Sequence, residues 1–153
     1  EEGAGRKAEA IVDHMEKLMH QNSHRHLQPD SITYNAVIDA WTYSGEKVAK
    51  EKVEGILNMM QEKYEDGNIH LKPGIRTFGG VVNYWAKEGN ETKAEAIIER
   101  MERFMHQNSH DINIRSGIDL CRTLIEMWSS KRDEKEADKV AKEILKKIQD
   151  IRS

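Results

Sequence analysis

A chain of 153 residues is long enough for one domain or a short array of repeats. Only 37% of it is apolar while 33% is charged, a balance that suits thin helical layers better than a thick globule. Two prolines, few aromatics and abundant Glu, Lys and Ala favour helix almost throughout and exclude an extensive sheet. The formal net charge of −3 argues against a strongly electrostatic nucleic-acid binder, which needs clustered Lys and Arg.

The single Cys121 rules out an intrachain disulfide and fits a reducing compartment. No run approaches the roughly 18 apolar residues that span a membrane, and no signal-peptide pattern is present, so no membrane association is expected.

The first predicted helix runs from about Arg6 to Gln21, with Ala8, Ile11, Val12, Met15 and Met19 at offsets 0, 3, 4, 7 and 11 on one face. The polar connection His20 to Asp30 follows. A second helix then carries Tyr34, Val37, Ile38 and Trp41 at offsets 0, 3, 4 and 7. Gly45, four residues past the tryptophan, marks its end, as a glycine in the left-handed conformation does.

Both stripes then recur. The first returns as Val53, Ile56, Leu57, Met60 and Tyr64, as Ala94, Ile97, Ile98, Met101 and Met105, and as Ala137, Val140, Ala141, Ile144 and Ile148. The tryptophan stripe returns as Phe78, Val81, Val82 and Trp85, then as Cys121, Leu124, Ile125 and Trp128; Tyr34 to Phe78 is 44 residues and Phe78 to Cys121 is 43. With the tryptophan helices denoted A and the others B, the order is B, A, B, A, B, A, B.

Seven helices in such an order define a repeat protein. The predicted fold is all-α: a right-handed α-solenoid of stacked antiparallel hairpins, because no single hairpin can bury its own stripe. The units are a partial repeat, 6–24, and repeats 29–72, 73–115 and 116–153, read as one domain within a longer array. Pro29 and Pro73 stand just before their A helices, where the missing amide hydrogen costs nothing, and Ser116 takes that position, as a cap, in the third repeat.

No phosphate loop, nucleophile elbow or nucleophile with a predictable base appears, so no enzymatic activity is expected, and no cofactor. The pentapeptide HQNSH at His20 to His24 and at His106 to His110 places two histidines at i and i+4, a spacing that can share a metal. With no third ligand at a recognisable spacing, these read as duplicated helix ends and no metal site is expected. Cys121, on an apolar stripe, reads as a small core residue. Gly79 and Gly80 lie inside a helical pattern, which allows either close helix packing or close approach of a ligand backbone.

The segments PDSITYNAVIDAW (Pro29 to Trp41), SGE (Ser44 to Glu46) and AEAIIERMERFM (Ala94 to Met105) resemble the pentatricopeptide repeat family, with a long period. The resemblance covers nearly the whole chain and implies a single-stranded RNA-binding module in mitochondrial or plastid RNA processing or stability. It implies base-reading first-turn residues at Asn35, Gly79 and Arg122, partner positions at Asp30, Gly74 and Gly117, and base-stacking positions at Ile32, Arg76 and Asp119. The three glycines carry no side chain to read a base edge.

Lys72 or Arg115 is the expected phosphate contact. Lys72, Arg76, Lys87, Arg115 and Arg122 are balanced by Asp30, Asp39, Glu88, Asp119 and Glu126, so the A-helix side is neutral. That neutrality keeps a second reading open: a scaffold that takes a protein or peptide in its groove without binding RNA.

Overall fold

A computed structural model describes residues 3–22, 25–108, 114–130 and 133–151. The described residues form seven α-helices and contain no strand: α1 (Ala4–Asn22), α2 (Ser31–Thr42), α3 (Ala49–Glu65), α4 (Ile75–Lys87), α5 (Glu91–Asn108), α6 (Ile114–Ser129) and α7 (Glu134–Asp150). Short 3-10 turns at Arg25–Leu27 and Ile69–Leu71 interrupt the two long connections. The chain divides into two compact units, one running to Pro73 and the other starting at Gly74.

In the first unit α2 packs on both α1 and α3. Helix α2 is fixed at its start by a reciprocal cap: the Thr33 amide donates to Asp30 Oδ1 at 2.9 Å, and the Asp30 amide donates to Thr33 Oγ1 at 3.3 Å. Its stripe of Tyr34, Val37, Ile38 and Trp41 is buried, as are Val53, Ile56, Leu57 and Met60 of α3 and Val12 of α1, the two helices on which α2 packs. Trp41 is held from three directions. Its Nε1 donates to Glu9 Oε1 at 3.0 Å, and the cations of Arg6 and Lys52 each lie 5.7 Å from the ring.

The α1 stripe departs from expectation. Val12 is buried, but Ile11 is 62% exposed and Ala8, Met15 and Met19 are only half-buried. The five residues share a face in sequence, yet only the edge of it turned toward α2 is covered.

In the second unit α4 packs on α5, α6 and α7, and residues 77–86 are buried without interruption. The stripes Phe78, Val81, Val82, Trp85 and Cys121, Leu124, Ile125, Trp128 are all buried, as are Ala94, Ile97, Ile98, Met101 and Met105 of α5. Phe78 meets Phe104 of α5 with ring centroids 5.7 Å apart. Helix α4 ends in a Schellman motif, with the Gly89 amide donating to Ala86 O and the Asn90 amide to Trp85 O, and Gly89 takes φ +78° to allow it.

Helix α6 begins earlier than its repeat predicts. Helices α2 and α4 start three residues before Tyr34 and Phe78, whereas α6 starts at Ile114, seven residues before Cys121. Proline restrains the first two, because the residue before it is driven out of the helical region. No proline stands ahead of α6, so the helix extends by about one turn and Ser116 lies within that turn instead of capping it.

Candidate functional site

The positions marked by the repeat resemblance differ in burial and in the contacts they make within each unit. Asp30 spends its carboxylate on the α2 cap. Asn35, one residue along from the Tyr34 stripe, is 8% exposed and so turned into the protein. Ile32 is 67% exposed and projects from the first turn of α2. Lys72 is half-buried, with its ammonium 5.7 Å from the Tyr64 ring.

Gly79 and Gly117 are packing glycines. A β-carbon on Gly79 would lie 3.1 Å from Ile148 Cδ1, 3.6 Å from Leu145 Cδ2 and 3.7 Å from Cys121 Sγ, so α7 and α6 occupy the face on which a base would sit. A β-carbon on Gly117 would lie 2.5 Å from Ile75 Cγ2, so the absence of a side chain lets α6 approach α4. Of the two roles open to Gly79 in the sequence, close helix packing is the one it fills.

Gly74 is the residue before α4, with its amide donating to Thr77 Oγ1 at 3.1 Å. Arg76 is half-buried and lies near enough to Cys121 to act on its thiol. Arg115, Asp119 and Arg122 are exposed on α6, and Arg122 lies 4.0 Å from Glu102. Because α6 gains a turn, Arg122 stands in its third turn and not its first.

A different feature of the first unit was not anticipated. Helices α1 and α3 both lean on α2 and leave between them a groove of about 740 Å³. Tyr34 and Val37 of α2 form its floor with Val12, and Met19, Ile56, Met59 and Leu71 add apolar surface. Its α1 wall carries Glu9, Asp13, Glu16 and His20; its α3 wall carries Lys52 and Lys63.

The groove thus has an acidic side and a basic side. Glu9 Oε2 accepts from Lys52 Nζ at 3.2 Å, which ties the walls together at one end. Glu16 Oε1 accepts the Tyr34 hydroxyl at 2.8 Å, and burial together with that carboxylate pushes the phenol above its ordinary range, so Tyr34 remains a neutral donor. Asp13 and Lys63 are exposed and have no ion-pair partner among the described residues. The acidic spacing at 9, 13 and 16 was visible in the sequence, where it is indistinguishable from a solvated helix face; what makes it a wall is the distance between α1 and α3.

Among the described residues no group of three His, Cys, Asp or Glu is placed to hold a metal, and no helix is long and apolar enough to cross a membrane. His24 and His110 of the two HQNSH segments lie outside the described residues. No family model, curated protein or solved structure matches the chain.

Proposed function

We propose that the chain is a non-catalytic helical-repeat scaffold, its hairpins stacking as a solenoid, and that it binds an amphipathic helix of a protein partner in the groove between α1 and α3. The observation that carries this reading is the groove itself: apolar along its floor, with a row of carboxylates on one wall and lysines on the other. From Lys52 to Lys63 the α3 wall is 12 residues, a rise of about 16 Å or three turns of helix. A ligand helix of that length fits with apolar residues at i, i+3, i+4 and i+7 facing down. Its basic flank would meet Asp13 and its acidic flank Lys63, which fixes its direction.

Single-stranded RNA, the ligand implied by the pentatricopeptide resemblance, has less to use. Two of the three first-turn positions, Asn35 and Gly79, are buried, and Asp30 is committed to a cap. Exposed Ile32, Arg115 and Arg122 and half-buried Lys72 and Arg76 remain for stacking and phosphate contact.

The test is selection of displayed amphipathic helices on the full chain, followed by calorimetric titration of a selected peptide. Met59→Asp places a carboxylate in the groove and Lys63→Glu reverses its basic wall; each is expected to weaken binding at least tenfold. Salt-sensitive binding of a single-stranded RNA pool that is lost in Arg115→Ala/Arg122→Ala and unchanged in Met59→Asp would overturn the peptide reading in favour of RNA.

A further inference from the structure

Helices α1 and α5 are near copies with opposite fates. Of the 20 residues from Gly3 to Asn22, 12 are identical to those from Gly89 to Asn108: Gly3, Lys7, Ala8, Glu9, Ala10, Ile11, Met15, Glu16, Met19, His20, Gln21 and Asn22. In α5 this sequence is covered by α4 on one side and α6 on the other, whereas in the first unit α1 packs on α2 and on the short turn Arg25–Leu27. Ile98 and its counterpart Val12 are both buried, at 0% and 4%.

The residues along the stripe that leads to Phe104 differ. Ile97 is 6% exposed and Ile11 is 62%. Phe104, which meets Phe78 of α4, is buried, while its counterpart Leu18 is half-buried. Ala94 and Met101 are fully buried, and Ala8 and Met15 are half-buried. An identical stripe that buries itself in one place and lies bare in the other marks a missing neighbour.

Two further features describe that neighbour. Lys93 of α5 lies 5.4 Å from the ring of Trp85, and Lys52 of α3 lies 5.7 Å from the ring of Trp41, so in each of these B helices the lysine just ahead of the stripe covers the tryptophan of its own A helix. Lys7 occupies the same position, is exposed, and covers no ring among the described residues. Gly3 adopts φ +83°, matching Gly89 at φ +78°, and it is Gly89 that closes α4 and turns the chain into α5.

We infer that the face of α1 formed by Ala8, Ile11, Met15 and Leu18 is the docking surface for a helix of the α4 type, joined ahead of Gly3 and placing a tryptophan beneath Lys7. The occupant is amphipathic, with an aromatic residue, two aliphatics and a tryptophan at offsets 0, 3, 4 and 7. It meets α1 as α4 meets α5.

The experiment joins a second copy of residues 73–88 directly to Gly3, in place of Glu1 and Glu2, and follows amide hydrogen exchange of α1 and the Tm. The expected result is slower exchange along α1 and a Tm higher by several degrees. Ile11→Asp is expected to lower Tm in the extended chain and to leave the 153-residue chain unchanged. The same segment as a free peptide, titrated into the full chain, is expected to stabilise it, and a Trp85→Ala version of that peptide is not.

Absence of stabilisation by both the joined and the free segment overturns the inference. So does an equal effect of Ile11→Asp in the two chains. A 153-residue chain that dimerises, and becomes monomeric on Ile11→Asp, assigns the face to a second copy and also overturns it.

Discussion

Trp128 Nε1 donates a hydrogen bond of 2.7 Å to Asn83 Oδ1, joining α6 to α4 where both residues are buried. A polar side chain with no solvent exposure survives in an apolar layer only because its hydrogen bonds are made there. Asn83→Ala leaves the indole donor without this partner in a site that water does not reach. The expected cost is about 2–3 kcal/mol, the desolvation of an orphaned donor together with a small cavity. Chemical denaturation reads it, and a double-mutant cycle with Trp128→Phe is expected to show coupling, since the second substitution removes the donor that the first strands.

The two packing glycines separate by the stiffness of what faces them. At Gly117 a new β-carbon would meet Ile75 Cγ2 at 2.5 Å, a branch attached next to the backbone that has nowhere to go. Gly117→Ala is therefore expected to destabilise by about 1–3 kcal/mol through overpacking. At Gly79 the nearest atom is the terminal Ile148 Cδ1 at 3.1 Å, which gives by a small rotation. The helix-propensity gain of roughly 1 kcal/mol then offsets the contact, so Gly79→Ala is expected to be close to neutral. Thermal unfolding of the two variants side by side checks the order.

How far the sequence could lead is clear from residues such as these. Twelve stripe residues on the three A helices are buried where the 0, 3, 4, 7 pattern puts them, because helical periodicity is a local property and the backbone obeys it. The pattern does not say which neighbour covers which edge of a stripe. Ile11 reads the same as Ile97 in sequence, yet it is 62% exposed where Ile97 is 6%. The groove escaped for a related reason: its walls come from helices far apart in sequence, with Glu9 and Lys52 separated by 43 residues, and the space between them depends on how each leans on α2. Gly79 was ambiguous because a missing side chain looks alike whether a ligand or Ile148 takes its place.

The three tryptophans are equivalent in the repeat and unequal in their hydrogen bonds. Trp41 Nε1 donates to Glu9 and Trp128 Nε1 to Asn83, while Trp85 Nε1 is buried without a partner. Trp41→Phe breaks a bond to a carboxylate and is expected to cost about 1.5–3 kcal/mol beyond the lost ring area. Trp85→Phe removes an unsatisfied donor, so its cost is smaller and set by packing. Trp85→Ala, at a site only 8% exposed, still costs about 3–5 kcal/mol. Denaturant midpoints across the set of variants test the ranking, with Trp41→Phe below Trp85→Phe.

Cys121 on α6 is fully buried, and that burial, only partly opposed by the Arg76 guanidinium, pushes its thiol up to about 12 from an ordinary value of 9.0. The native thiol is therefore protonated at neutral pH and inert, and a thiol reagent at pH 8 is expected to react only as fast as the protein opens. The same shift sets a sign for stability. Below about pH 9 the thiol is neutral in both states and its stabilising effect is complete; between about 9 and 12 the unfolded chain ionises while the folded one does not. Stability is then expected to fall by about 1.4 kcal/mol per pH unit from this group. Tyr34 adds to the loss above pH 10, because its phenol is also raised. Cys121→Ala removes the part that begins near pH 9 and leaves the part that begins near pH 10, so urea midpoints of the two proteins from pH 8 to pH 10 are expected to converge as the pH rises.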